Sequence, residues 1–205
     1  MYKYVLKPFF DFVFALIAII LLALPMLIVA IAIKCESKGP VIFKQERVGK
    51  NGKVYWMYKF RSMCVGAEQM EGGVYCTSGD KRVTKVGKFI RKTSLDELPQ
   101  LFNILKGDMT IVGPRPERPQ IIAQYMEEMP EFALRMKVKA GLAGYAQVYG
   151  KYNTTPKDKL MMDMMYIENY SVFKDVQLFH ISGISFALSS TVKNLCFSFL
   201  TTGNI

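Results

Sequence analysis

Asp96 and Glu97 stand side by side inside a stretch, Arg91 to Arg118, that reads RKTSLDELPQLFNILKGDMTIVGPRPER. Asp and Glu are hard oxygen ligands for Mg²⁺. Basic side chains bracket the pair: Arg91 and Lys92 come just before it, and Arg115 and Arg118 follow on a turn stiffened by Pro114, Pro116 and Pro119. Arginine's planar fork suits phosphate oxygens, and prolines on both sides of Arg115 pre-organise it at little entropic cost. Two carboxylates amid arginines fit metal-assisted phosphate chemistry, in which the ion screens a carboxylate nucleophile from an anionic substrate. An aspartate, with a reference pKa of about 3.9, is ionised at pH 7 and needs no partner base. His180 is the only histidine, which excludes mechanisms built on several.

A purely structural reading competes. Ser94-Leu95-Asp96-Glu97 fits the capping box, with Ser as cap and Glu three residues on, and both carboxylates suit the positive end of a helix. Pro99 complicates it, because a Ser94 cap places that proline beyond the first turn, where its missing N–H is needed. A helix start nearer Asp96 removes the conflict and leaves Asp96 close to free N–H groups.

The elements that must carry this stretch begin with an apolar run of about 22 residues, Phe12 to Ile33, long enough for a bilayer core of roughly 30 Å. It accounts for much of the 51 % apolar content and the mean hydropathy of +0.15 in 205 residues. A cleaved signal peptide shares its basic start, but the run exceeds a typical signal core. A straight span and a re-entrant hairpin remain. Pro25 deletes a helical hydrogen bond and bends the axis, and lysines and arginines flank both ends, which favours both ends in the cytoplasm.

Beyond it, VIFKQERVG and KVYWMYKFRSM flank Asn51-Gly52, the signature of a β-hairpin. Val54, Trp56, Tyr58 and Phe60 alternate with Tyr55, Met57, Lys59 and Arg61. Arg82 to Lys92 reads as a short amphipathic helix with Val83, Val86 and Ile90 on one stripe, either a solvated basic face or a surface for anionic lipid. A helix follows from Leu98 to Leu105, a short strand from Thr110 to Val112, and a helix from Pro119 to Glu128. Lys139 to Lys151 reads as a glycine-rich loop, and Thr155-Pro156 opens another helix with Thr as cap. Val176 to Leu200 is amphipathic and suits interfacial packing.

The formal net charge of +10 calls for acidic partners: lipid head groups, phosphorylated substrates or nucleic acid. Nucleic acid is excluded because the aromatics lie on apparent core strands and no recognition helix or stacking motif is present. Cys35, Cys64, Cys76 and Cys196 are scattered, which points to free thiols rather than a zinc site or disulfides.

At SLDELPQLFNILKGDM, followed by IVGPRPE, the chain resembles the bacterial sugar transferases, the monotopic phosphoglycosyl transferases. KPFFDFVFALIAIILLALPMLI is similar to that family's N-terminal membrane helix, GPVIFKQERVGKNGKVYWMYKFRSM to its hairpin, GLAGYAQVYGK to its glycine loop and MDMMYIENYSVFKDVQL to its C-terminal helical region. The resemblance implies an α+β fold. A re-entrant membrane helix, a small β-hairpin and amphipathic interfacial helices surround a membrane-surface active site. The expected divisions are 1–38 for the helix-break-helix, 39–180 for the catalytic domain and 181–205 for an amphipathic tail.

The implied reaction, on the cytoplasmic face of the bacterial inner membrane, passes a sugar 1-phosphate from a UDP-sugar to a polyprenyl phosphate, typically undecaprenyl phosphate, and releases UMP. It would open synthesis of a capsule, exopolysaccharide, O-antigen or glycoprotein. Asp96 matches the family nucleophile, which forms a covalent phosphosugar intermediate. Glu97 completes the dyad and, with Asp96, is expected to place Mg²⁺. Arg91 and Arg115 match phosphate-binding positions. Pro114, Pro116, Gly144, Gln147, Lys151, Asp163 and Tyr166 match positions around the substrate, although Asp163 and Tyr166 fit plain packing as well. Leu24-Pro25 stands where the family has Ser-Pro at the break of its membrane helix. Ala140, Ala143 and Lys151 replace the proline, threonine and arginine common in the glycine loop; a lysine keeps the charge but loses the bidentate fork. A non-catalytic membrane scaffold for polysaccharide assembly is the rival reading.

Overall fold

The computed structural model describes residues 2–70, 79–150 and 154–182. Lys151 and the tail from 183 onward lie outside the described residues, as do Cys76 and Cys196.

The apolar run folds as one helix, α1 (Lys7–Glu36), with Pro25 inside it. At 1.5 Å per residue it is about 45 Å long if straight, and by length and composition it can cross a bilayer. The interruption expected at Leu24-Pro25 is therefore not a gap in helical structure. Leu24 is exposed, as are Phe9, Ile17, Ile20, Leu21, Leu27 and Ile31. The opposite stripe is packed. Ala15 meets Tyr55, Met57, Leu101, Ile104 and Met109, and Val29 and Ile33 meet Phe60 and Ile90. Each such large side chain taken from water contributes about 1.5–3 kcal/mol.

Strands β1 (Ile42–Val48) and β2 (Val54–Phe60) pair antiparallel, with Ile42 opposite Phe60 and Val48 opposite Val54. Asn51 and Gly52 take positive φ values of 56° and 76°, and the Lys53 N–H donates to the Lys50 carbonyl at 3.2 Å. This is the type I′ turn that Asn-Gly dictates. The strand alternation buries Tyr55 and Met57 and leaves Trp56 exposed.

Helix α2 (Lys85–Lys92) begins at a Thr84 cap whose side chain accepts from the Gly87 N–H. Helix α3 (Gln100–Leu105) is locked to β2 by Asn103, whose Oδ1 accepts from the Tyr58 N–H at 2.9 Å and whose Nδ2 donates to the Trp56 carbonyl at 2.7 Å.

Strand β3 (Met109–Val112) pairs in parallel with β4 (Ala140–Ala143). That strand, with the short helix α5 (Tyr145–Tyr149), replaces the loop expected at Lys139–Lys151. The glycines read as loop formers serve a close backbone approach instead. A Cβ on Gly141 would lie 2.1 Å from the Gly113 nitrogen, and one on Gly144 would lie 2.4 Å from the Gly113 oxygen. Helix α4 (Pro119–Glu128) has the expected bounds. Helix α6 (Pro156–Glu168) starts from a capping box of Thr155 and Asp158, and residues 172–182 form α7.

Candidate active site

The dyad sits between two helices that α1 holds in place. After α2, Ser94 adopts a left-handed conformation (φ 47°) and makes no capping hydrogen bond from its side chain. The Ser94 capping box is therefore absent, and the Glu97 N–H bonds the Ser94 carbonyl instead. Leu95–Glu97 form a single 3₁₀ turn and Pro99 stands at the joint before α3, so the helix starts later than Pro99 alone indicated. Leu95 and Leu98, on either side of the carboxylates, pack against the cluster of Val29, Ile33, Phe60 and Ile90. The dyad turn is thus seated directly on the apolar helix.

The two carboxylates face different surroundings. Glu97 Oε1 accepts from Lys59 Nζ at 2.7 Å and from an Arg115 guanidinium nitrogen at 2.9 Å. Burial alone raises its pKa, but Arg115 and Lys59 outweigh that and hold it down at about 2. Burial in turn lowers the Lys59 pKa against the pull of Glu97. Asp96 makes no hydrogen bond or ion pair with another described side chain. Burial lifts its pKa above the usual carboxylate value, with Lys59 and Arg91 pulling down and Glu97 pushing up.

Asp96 lines a cavity of about 640 Å³ together with Lys44, Arg47, Lys59, Arg61, Arg82, Arg91 and Arg118; the acids there are Glu68 and Asp96. Such a concentration of cations in a cleft favours a polyanion. Arg118 is paired with Glu68 at 2.9 Å across the cleft, and Arg61 is tied by its guanidinium to the carbonyls of Ser37 and Lys38.

Of the expected residues, Asp96 and Arg91 meet in this cavity, while Arg115 reaches the dyad through Glu97 from behind. Pro114 and Pro116 form the buried turn, fixed on one side by the Gly141 N–H, which donates to the Pro114 carbonyl, and on the other by Arg47, which donates to the Pro116 carbonyl at 3.1 Å. Gly144 and Gln147 stand at the β4–α5 corner, Gln147 donating to the Leu142 carbonyl. Asp163 and Tyr166 are each 1 % exposed and line no part of this cavity. Asp163 binds Arg135 at 2.7 Å, and Arg135 in turn donates to the Arg115 carbonyl at 2.9 Å. The Tyr166 hydroxyl lies 2.6 Å from Asp175 and 2.9 Å from the Val112 carbonyl.

Lys59, Arg47 and Arg135 are neighbours of the dyad and the Pro-Arg-Pro turn that the sequence did not single out. Lys59 had one signal, a charge on an otherwise apolar and aromatic strand. Arg135 had none, because its partners lie 20 and 28 residues away.

Among the described residues no group of three or more acidic, histidine or cysteine side chains gathers as a metal cage. The Asp96 carboxylate nevertheless fits a cation of the kind that keeps water and substrate phosphates in its shell and takes one or two carboxylates from protein. Lys59 and Arg115 already neutralise Glu97, so the negative charge that draws such an ion must come largely from the substrate.

Residues 2–186 match the family described as bacterial sugar transferase. Over 174 residues the chain is 47 % identical to the UDP-N-acetylgalactosamine-undecaprenyl-phosphate N-acetylgalactosaminephosphotransferase of Aeromonas hydrophila, covering 83 % of this chain and 41 % of that protein. It is 42 % identical over 179 residues to the UDP-glucose:undecaprenyl-phosphate glucose-1-phosphate transferase of Klebsiella pneumoniae, covering 85 % and 38 %. With the exopolysaccharide production protein PSS of Rhizobium leguminosarum it shares 38 % over 182 residues, covering 85 % and 91 %. The chain spans about two fifths of the length of the first two of these relatives. Its match along 2–186 places the chain in the bacterial sugar transferase family.

Proposed function

We propose that this chain transfers a sugar 1-phosphate from a UDP-sugar to undecaprenyl phosphate and releases UMP. The observation that carries the reading is the contrast within the dyad: one carboxylate is pinned by two cations, and its neighbour is open to a cationic cleft. Relatives 42–47 % identical are named for this kind of transfer.

In the first step an Asp96 oxygen attacks the sugar-bearing phosphorus of the donor, and the bond to the bridging oxygen breaks. UMP leaves with that oxygen and its electron pair, and a phosphosugar–aspartate anhydride remains. In the second step a phosphate oxygen of the lipid attacks the same phosphorus, which restores the Asp96 carboxylate and forms the lipid diphosphate sugar. Glu97 holds Lys59 at a fixed position in the cleft beside Asp96, where its charge meets the charge developing on the equatorial oxygens, and Arg115 fixes Glu97 from behind. Arg91 contacts the donor's diphosphate. Burial keeps Asp96 more basic than a carboxylate in water, and a more basic carboxylate is the better nucleophile. Asp96 and Glu97 are the residues that would hold Mg²⁺, which would supply further charge neutralisation.

The same reading places α1 in the cytoplasmic leaflet as a re-entrant element bent at Pro25. Both its ends are tied to one body. Lys7 donates to Asp175 at 2.6 Å, while Glu36 accepts from the Lys85 and Val86 N–H groups at 2.6 and 2.9 Å. A helix crossing the membrane carries its two ends to opposite sides. In a background without native cysteines, Tyr4→Cys and Lys38→Cys should both label from the cytoplasmic side, and labelling from opposite sides would sink the re-entrant form. For the reaction, UMP release from UDP-N-acetylgalactosamine and UDP-glucose is measured with undecaprenyl phosphate and Mg²⁺. Wild-type rates from Asp96→Asn would overturn the nucleophile, and no release with any UDP-sugar would favour a scaffold.

A further inference from the structure

A second cationic cavity, which shares no residue with the one at Asp96, lies at the other end of α1. Its volume is about 220 Å³. Besides Lys7, four lysines from three separate parts of the chain line it: Lys3 just before α1, Lys50 from the hairpin turn, and Lys137 and Lys139 from the segment leading into β4. None of the four has a carboxylate partner among the described residues. The one acidic side chain in the lining, Asp11, is occupied: it accepts from the Thr110 hydroxyl and the Ile111 N–H, and it lies 3.9 Å from Lys7. Lys7, also in the lining, is buried and spent on Asp175 at 2.6 Å. The cavity therefore gathers about four uncompensated positive charges, an arrangement that costs stability through mutual repulsion unless an anion fills it.

The surroundings identify the class of anion. Tyr4 and Pro8 line the cavity, and Tyr4, the adjoining Val5 and Phe9 next to Pro8 are 72 %, 61 % and 60 % exposed. Charged pocket and bare apolar rim are continuous, as an amphiphile requires. Lysines at the start of an apolar helix also stand at head-group depth. We infer that this cavity binds the phosphodiester head group of an anionic membrane phospholipid, whose acyl chains lie along the exposed face at the start of α1. It is not the place of the lipid acceptor, whose phosphate must reach Asp96 in the other cavity. A resident phospholipid here would bind Lys3 at the start of α1, the hairpin tip and the approach to β4 to one anion, setting the depth at which the catalytic cleft rides on the membrane.

This inference rests on the membrane-bound reading and not on the transfer reaction. The test uses the full chain in uncharged detergent and follows its thermal unfolding as phosphatidylglycerol, phosphatidylcholine, undecaprenyl phosphate or inorganic phosphate is titrated in. Phosphatidylglycerol should raise the midpoint in a saturable way, because a ligand that binds only the folded state stabilises it. The triple variant Lys50→Gln/Lys137→Gln/Lys139→Gln should need at least tenfold more of that lipid, since it removes three of the cavity's positive charges. All three side chains are at least partly exposed, so the variant should fold, and its UMP release in detergent should match wild type. An equal response to phosphatidylcholine or to inorganic phosphate overturns the inference. So does an unchanged lipid response in the triple variant, or protection by undecaprenyl phosphate alone that depends on the three lysines. Loss of UMP release by the triple variant in detergent would overturn the separation from the catalytic site while leaving the proposed reaction standing.

Discussion

Two carboxylate centres in this molecule are each seated against α1 and each have lysine for company, yet they are built to opposite ends. At Asp175 both oxygens are occupied. Tyr2 and Lys7 donate to Oδ2 at 2.5 and 2.6 Å, and the Tyr166 hydroxyl lies 2.6 Å from Oδ1. At Asp96 no neighbouring side chain donates, although Lys59 and Arg91 are close enough to pull its pKa down. A buried carboxylate whose bonding capacity is filled stabilises a joint between elements. One that is half-buried and left open costs stability, and that cost is met where chemistry uses the open oxygen.

The sharpest way to break this comparison is to remove the charge at each centre. Asp96→Asn should lower UMP release by roughly 10³-fold or more, as loss of a nucleophile does, while the unfolding midpoint stays put or rises. Asp175→Ala should do the reverse. It leaves the buried Lys7 with only the 3.9 Å contact to Asp11 and removes a partner from two tyrosines, at a cost of about 3 kcal/mol, which lowers the midpoint by about 6–12 °C for a chain of this size. UMP release per folded molecule should remain within a few fold of wild type. If Asp96→Asn instead unfolds the protein while Asp175→Ala leaves it intact, the contrast has been assigned backwards.

A smaller effect tests how the rear of the site supports the front. Arg135 spans from Asp163 to the Arg115 carbonyl, and lysine cannot reproduce that fork. Arg135→Lys should cost about 1–3 kcal/mol and reduce UMP release about tenfold, mostly in kcat, because Arg115 is no longer held at its place beside Glu97. A loss confined to stability, with kcat unchanged in the folded fraction, would show that Arg135 serves packing alone.

Much of this arrangement was legible in the sequence because it is local. The Asn-Gly turn, the Thr155 cap, the bounds of α4 and the apolar helix follow from neighbouring residue types. The adjacency of Asp96 and Glu97 to arginines was equally visible. What was hidden depends on distant partners. Ser94 fits a cap by pattern, but packing of Leu95 and Leu98 against α1 dictates a 3₁₀ turn and a left-handed Ser94. The segment at Lys139–Lys151 reads as a loop from its glycines, whereas those glycines let β4 lie against Gly113. Asp163 and Tyr166 match positions around a site, but both are buried outside the Asp96 cavity, Asp163 bound to Arg135 and Tyr166 to the Val112 carbonyl and Asp175.

The finest test lies in the two neighbours' opposite titrations. Glu97 has a folded pKa near 2, below its ordinary 4.5. Its stabilising contribution is therefore fully present above about pH 4.5 and is lost as pH falls toward 2. The Asp96 pKa is raised, so its contribution has the other sign: it favours the folded state in acid and fades as pH rises through the folded value. In the proposed reaction Asp96 must be ionised to attack. UMP release should thus fall on acidification at a higher pH than an unperturbed aspartate would give, while Glu97 is still charged and the protein still folded. Glu97→Gln removes a negative neighbour and frees Lys59 to pull on Asp96, so the acid limb of its slower release should move to lower pH. A limb that stays in place, or moves upward, would mean that Asp96 does not control the reaction's ionisation.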